Sequence, residues 1–177
     1  MTSTICTRDE ATGTLPSDIR LAVFQAWDRM KGGFNTDPEL DISLDRFFRA
    51  ITTALDPETI LHVDLENIRN VLRRGHLALG YGRASLSSDG AVLQACLASL
   101  RCESLTSLSA APMATEILII MNSPWSAAVK LIEVREGLRA ISLWGENDCG
   151  KLHSQYTMIH NEESAGDAIE VYLFVAR

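Results

Sequence analysis

The chain has 177 residues and 46% of them are hydrophobic, so it is long enough to bury one substantial core. Its 16 basic and 23 acidic side chains give a formal charge of −7, which disfavours a nucleic-acid binder because such proteins present a basic face. No apolar run approaches the roughly 18–20 residues of a membrane span and no secretory signal opens the chain, so we expect a cytoplasmic protein without a membrane span.

The first part of the chain predicts helices. Residues 1–15 carry no apolar period, and we expect them to be mobile. Apolar residues at three- and four-residue steps then predict two helices within residues 16–56, separated by Gly32-Gly33. We interpret residues 16–56 as a helical extension and residues 57–177 as the main domain.

From residue 64 onward the predicted order is helix, strand, helix, strand, helix, strand, strand. The segment Thr115–Met121 is too apolar to alternate, which predicts a strand buried on both faces. The predicted elements are a helix at 65–74, a strand at 77–84 in which Gly80 and Gly82 allow close backbone approach, a helix capped by Ser87-Ser88-Asp89, the strand at 115–121, a helix at 130–143 followed by a turn at 145–148, and strands at 156–160 and 168–176.

The order of these elements predicts the architecture. Strands separated by helices indicate crossover connections, and the last two strands, which only a polar loop separates, indicate a hairpin. In the last strand Ile169, Val171, Leu173 and Val175 should share one face, with Glu170, Tyr172 and Phe174 on the other. We therefore expect an α/β fold of an α+β-like two-layer kind, with one mixed four-stranded sheet that carries helices.

Residues with metal or redox chemistry are not arranged as a site. The cysteines at positions 6, 96, 102 and 149 include no CxxC pair, so zinc is not indicated, and Cys96 is expected to be a buried free thiol. His153 and His160 flank a predicted strand at a spacing that fits no usual zinc motif. We expect no cofactor and no metal.

One loop carries a more specific pattern. The run His62-Val63-Asp64-Leu65-Glu66-Asn67 leads into a helix that bears Arg69, and a glycine-framed strand, Gly75–Gly82, follows. This combination resembles the synergy loop and the next strand of the FtsZ/tubulin-like family, where they open the C-terminal domain. The resemblance covers about residues 40–177, and the helix at 40–56 resembles the end of the family's central helix.

The resemblance also implies what this chain lacks. The family's GTP-binding domain lies before the central helix, whereas only about 39 residues stand there in this sequence, and Gly32-Gly33 is no phosphate cradle. Such nucleotide domains are built from βαβ units of ~30 residues each. We therefore expect no independent GTP binding, and an enzyme is not indicated for the chain alone.

In the family this loop reaches the GTP of a neighbouring subunit, where its acidic residues polarise the attacking water. Asp64 retains the first acidic position, but Asn67 replaces the second, and an amide cannot act as a base. Asp64 is also well placed to cap the helix, and we favour this role, although the two are compatible. The partner-binding residues implied by the resemblance are His62, Asp64, Glu66, Asn67 and Arg69, with Asp64 as a catalytic residue acting in trans.

Three functions remain open from the sequence. The first is a non-catalytic assembly module that binds itself or a tubulin-like GTPase polymer, for which the resemblance implies a role in cell division. The second is a split or fragmentary GTPase partner that supplies Asp64 to GTP on a neighbouring subunit. The third is reuse of the fold as a small-molecule-binding domain, which would need a closed pocket with convergent polar groups.

Overall fold

The chain forms a four-stranded mixed sheet with helices on both faces. The computed structural model describes residues 15–29, 44–56, 63–72, 77–102, 105, 115–124, 129–149, 152–160 and 166–176. Its elements are α1 (Ser17–Arg29), α2 (Leu44–Ala54), α3 (Leu65–Leu72), β1 (Leu77–Ser85), α4 (Ala91–Leu100), β2 (Thr115–Asn122), α5 (Leu131–Cys149), β3 (Leu152–Ile159) and β4 (Ala168–Ala176). These elements confirm the predicted α/β class and the mixed four-stranded sheet. None of the helices in these ranges is long and apolar enough to cross a membrane.

The strand order is β1-β4-β2-β3. Strand β4 runs antiparallel to both β1 and β2, and β2 runs parallel to β3 through the crossover helix α5. The predicted hairpin of the last two strands is therefore wrong, because β2 lies between them. The physical reason is burial: all nine residues of β4 are buried, which requires a central position with a neighbour on each side.

Two apolar clusters fill the two faces of the sheet. One face packs β2 and β4 against α1, α2 and α3, and it includes Leu118, Ile120, Tyr172 and Phe174. The other packs the alternate residues of the same strands against α4 and α5, including Ile117, Ile119, Val171 and Leu173. The predicted alternation of β4 and the predicted double-sided burial of β2 are both confirmed.

Helices α1 and α2 are packed against the sheet. The buried residues Ile19, Val23, Phe47 and Ile51 belong to the same cluster as the sheet residues beneath them. Leu15, the last residue of the segment expected to be mobile, is buried as well. Residues 1–14 lie outside the described part of the chain, and the domain boundaries at residues 16 and 57 stay predictions.

Three element boundaries differ from the sequence expectation. Helix α4 starts at Ala91 after Gly90, which has a φ of 68° and makes no side-chain cap, so the predicted Ser87-Ser88-Asp89 cap is wrong. Helix α5 continues to Cys149, so the predicted turn at 145–148 is wrong; the half-buried Trp144 packs against the apolar cluster on the α4–α5 side of the sheet. Strand β3 begins at Leu152 rather than at Tyr156.

Glycines in β1 bring α4 close to the sheet, as the sequence predicted. A Cβ atom at Gly82 would lie 1.9 Å from the Ala95 carbonyl oxygen and 2.5 Å from the Ser99 amide nitrogen. A Cβ at Gly80 would lie 2.7 Å from the Ser99 carbonyl oxygen. The backbone of α4 can therefore rest directly on β1.

The burial of β2 gives a stability prediction. We expect Ile119→Asp to prevent folding, because it places an unpaired carboxylate in the apolar cluster between the sheet and α4–α5. The control Ile119→Val removes only one methylene and should cost about 0.5–1.5 kcal/mol. Circular dichroism and urea denaturation measure both. A soluble Ile119→Asp protein with a native spectrum would contradict the placement of β2 in the core.

Candidate functional site

The described residues of the loop predicted from the resemblance, Val63 and Asp64, lead into α3 beside the end of α2. The Val63 amide donates to the Ala54 carbonyl at 3.1 Å, and Val63 itself is buried. Asp64 is exposed, and its carbonyl accepts the amide of Ile68 at 3.1 Å. Asp64 thus stands at the N-cap position of α3, where a side-chain cap remains a prediction. His62 lies outside the described residues.

Helix α3 brings the other predicted partner residues together. The Glu66 side chain is exposed and Asn67 is half-buried. Arg69 turns back along the helix, where its Nη1 lies 3.8 Å from a Glu66 carboxylate oxygen. Asp64, Glu66, Asn67 and Arg69 therefore lie within the first turns of one short helix.

The sequence did not show that α1 also contributes to this surface. Arg69 Nε donates to Asp18 Oδ2 at 3.2 Å, which ties the start of α1 to α3. Partial desolvation opposes ionisation of Asp18, but the Arg69 guanidinium and backbone N–H groups of α1 outweigh it and hold the pKa of Asp18 below its ordinary value. We call Asp18, Asp64, Glu66, Asn67 and Arg69 the α3 face.

A second polar cluster, which no pattern in the sequence predicted, lies inside the sheet. Glu170 on β4 is fully buried, and both of its carboxylate oxygens are engaged. Oε1 accepts from Arg46 Nη1 of α2 at 2.6 Å and from the Tyr81 hydroxyl of β1 at 2.7 Å. Oε2 accepts from Asn122 Nδ2 of β2 at 2.9 Å and from the Tyr172 hydroxyl at 3.0 Å. One carboxylate thus joins three strands and a helix.

The two tyrosines act as hydrogen-bond donors in this cluster. Burial, reinforced by the negative charge of Glu170, raises the pKa of Tyr81 and of Tyr172 far above the ordinary value. Both hydroxyls therefore stay protonated near neutral pH and keep donating to Glu170. Since every oxygen of Glu170 is satisfied within the chain, the cluster has the properties of a structural clamp.

The remaining candidates in the described part of the chain, His160 and Cys96, have surroundings typical of structural residues. His160 Nδ1 lies 3.0 Å from the Ser123 carbonyl oxygen and 3.2 Å from its hydroxyl, so it fixes the ends of β2 and β3 together. Among the residues the structure describes, no three His, Cys, Asp or Glu side chains are grouped to hold a metal. Burial raises the pKa of the Cys96 thiol to about 12, as expected for an unreactive core cysteine.

A small cavity lies between the turn before α4 and the start of α5. Its volume is about 220 Å³, and its lining includes Ser87, Ser88, Gly90, Lys130 and Glu133. Ligand pockets usually measure about 300–1,000 Å³ and are mostly apolar. This cavity is smaller, so it does not favour the small-molecule-binding function.

Comparison with known proteins shows the fold alone. No protein-family model matches the chain, and no curated protein sequence matches it. A solved tryptophan-to-tyrosine variant of FtsZ from M. jannaschii is similar, with a TM-score of 0.57 and 19% identity over 76% of this chain and 38% of that one. The structure of an empty FtsZ dimer from M. jannaschii gives 0.56 and 18% identity over 80% and 41%.

These similarities establish an FtsZ/tubulin-like fold for this chain. The chain spans about two fifths of the length of the solved structures it resembles. The resemblance noted in the sequence is therefore confirmed for the fold, and the roles of His62, Asp64, Glu66, Asn67 and Arg69 stay predictions.

The buried carboxylate gives a second stability prediction. In Glu170→Gln the side chain loses its charge, and its NH2 group must face two of the four donors around it, because each oxygen of Glu170 accepts from two. We expect a loss of about 3 kcal/mol, at the lower end for a broken buried pair because the Arg46 side chain is 25% exposed.

The matched control is Asp167→Asn, which removes a carboxylate from the exposed turn just before β4 and should change stability by no more than about 0.5 kcal/mol. Denaturant unfolding of both variants measures the difference. Equal stabilities for the two variants would contradict the conclusion that the Glu170 cluster stabilises the fold.

Proposed function

We propose that this chain is a non-catalytic assembly module with the fold of an FtsZ/tubulin-like C-terminal domain, which binds itself or a tubulin-like GTPase polymer. The observation that carries the proposal is the FtsZ-like fold in a sequence of 177 residues that contains no glycine-rich phosphate-binding loop. Without backbone amides and a lysine to hold the phosphates, the chain does not bind GTP by itself. Its contribution to a polymer is a binding surface.

The α3 face is the surface we assign to the tubulin-like partner. It is anchored to the end of α2 by the Val63–Ala54 hydrogen bond, and it presents the exposed carboxylates of Asp64 and Glu66. Asp18 adds a third carboxylate, and among the five residues that define this face only Arg69 is basic. This excess of negative charge suits a basic partner surface, so association should weaken as salt rises.

A second candidate function uses the same face. Asp64 is exposed at the start of α3, and no ion pair among the described residues engages its carboxylate. A free carboxylate at this position can orient or deprotonate a water on a nucleotide bound by another chain. This second function is GTPase activation in trans by Asp64.

The assembly function predicts the behaviour of a charge-reversal variant. With the tubulin-like GTPase of the same cell as polymer, the native chain should co-sediment, and Asp64→Lys combined with Glu66→Lys should lose co-sedimentation because a basic partner is repelled. The control Glu136→Lys makes the same kind of charge change on the exposed side of α5 and should bind normally. Equal pelleting of both variants, or no pelleting of the native chain, would contradict the proposal.

The two candidate functions predict different effects of substitutions at Asp64. Asp64→Ser keeps an oxygen that can cap α3 but removes the carboxylate, whereas Asp64→Ala removes both. If Asp64 only caps the helix, Ser should preserve stability, Ala should cost about 1 kcal/mol, and neither should change the partner's GTPase rate. We expect this outcome. A well-folded Asp64→Ser protein that lowers the stimulated rate by about 10²–10⁴ would establish the function in trans.

A further inference from the structure

The two edges of the sheet, β1 and β3, differ in whether their outward backbone groups have hydrogen-bond partners. On the outer side of β1 the Tyr81 amide donates to Cys102 Sγ at 3.3 Å, and the Cys102 thiol donates to the Tyr81 carbonyl at 3.4 Å. Leu105 is buried nearby, within 2.8 Å of the position that a Cβ on Gly80 would take. Cys102, which follows α4, therefore occupies the outward backbone groups of Tyr81 at the centre of this edge.

The outer side of β3 carries backbone groups that point away from the sheet. The Ile159 carbonyl accepts the Ser123 amide at 3.1 Å, so the polar groups of Ile159 face β2. Backbone direction alternates along a strand, so those of Ser154, Tyr156 and Met158 face outward. No strand in the described part of the chain pairs with this side of β3.

Within the described part of the chain, strand β3 also lacks the features that usually protect an edge. Its sequence, Leu-His-Ser-Gln-Tyr-Thr-Met-Ile, contains no proline, lysine or acidic residue. Its register with β2 is unbroken from Leu152 to Ile159, so no bulge turns the edge aside. Ser154 is exposed, and Tyr156 is 48% exposed. An edge of this kind is a template for pairing with another strand.

We propose that β3 pairs antiparallel with β3 of a second copy of this chain, across a two-fold axis at Tyr156. The outward residues are symmetric about Tyr156, so this axis places Tyr156 opposite its own copy and Ser154 opposite Met158 of the second copy. Each such pair exchanges two backbone hydrogen bonds, which gives six bonds over three pairs. A second copy thus satisfies every outward backbone group of these three residues.

The side chain of Tyr156 and the β1 edge of the sheet are both consistent with a second copy of the chain as the partner of β3. Tyr156 stands opposite Ile119 in the register, so the two tyrosine rings would meet on the sheet face that carries α4 and α5. A contact of this isologous kind closes on itself. At the far end of each copy, Cys102 occupies the outward backbone groups of Tyr81 at the centre of β1, which disfavours pairing of further strands beyond the resulting eight-stranded sheet.

This dimer deepens the self-association part of the proposed function, but it uses the β3 edge and leaves the α3 face untouched. The two can therefore fail separately. The variant with Asp64→Lys and Glu66→Lys should dimerise like the native chain, even though it loses the partner polymer.

Charge swaps at Tyr156 test the pairing. By analytical ultracentrifugation across micromolar concentrations, the native chain should be a dimer. Tyr156→Lys and Tyr156→Glu should each be monomeric, because the axis places two like charges opposite each other. An equal mixture of the two variants should recover the dimer as a Lys–Glu pair. The control Leu143→Lys replaces a residue on α5 that is also 48% exposed and should dimerise normally.

A second variant covers the case in which a charge at Tyr156 impairs folding. Ser154→Pro removes an outward amide while leaving the hydrogen bonds to β2, and it should reduce dimerisation. A monomeric native chain would overturn the proposal, and so would a dimer that survives in both charged variants. Monomeric variants whose mixture also stays monomeric would overturn the two-fold axis at Tyr156.

Discussion

The buried carboxylate of Glu170 is the constraint on which the arrangement of this fold depends. Removing a carboxylate from water costs several kcal/mol, and the cost is recovered only if its oxygens find donors of good geometry. Here the donors come from α2, β1, β2 and β4 itself. A shift of α2 would remove the ion-pair partner of this buried charge, and a shift of β1 or β2 would remove a hydrogen bond from it, so the cluster fixes the position of α2 relative to the sheet.

The position of α2 on the sheet in turn determines where the candidate site lies. The salt bridge from Arg46 holds α2 on the sheet, and the Ala54 carbonyl at the end of α2 holds the amide of Val63. Asp64 follows immediately and starts α3. The exposed carboxylates of the α3 face are thus placed by a buried carboxylate through one helix and one hydrogen bond. Destabilising the Glu170 cluster should therefore disturb the α3 face without touching any of its residues.

Local sequence patterns predicted the individual helices and strands of this fold better than they predicted which strands pair with each other. The alternation in β4, the apolar run of β2 and the glycines of β1 each report an environment that the residues themselves require, and each prediction was confirmed. The hairpin was wrong because pairing is decided by competition among strands. The full burial of β4 favours the centre of the sheet over the short connection to β3.

The candidate site was predicted only in part, because sequence patterns report contacts between residues that are close in the chain and not those between distant ones. Asp64, Glu66 and Arg69 are close in sequence, and helical spacing alone brings them together. Arg69 also pairs with Asp18, which lies 51 residues away, and Glu170 pairs with Arg46, which lies 124 residues away. A glutamate in a strand that is otherwise apolar on both faces was the available signal for the buried cluster. It indicates that a partner must exist, but the partner is chosen by the fold.

The two proposed surfaces can work together because they lie on different parts of the sheet. The α3 face lies on helices packed over β2 and β4, whereas the proposed pairing uses only the outer edge of β3. A dimer formed through β3 would carry two α3 faces related by the two-fold axis. Two linked sites bind a repetitive polymer more tightly than one, because the second contact is intramolecular. A weak, salt-sensitive α3 face is then sufficient for a firm hold on a polymer, and losing the β3 pairing would weaken that hold without altering the face itself.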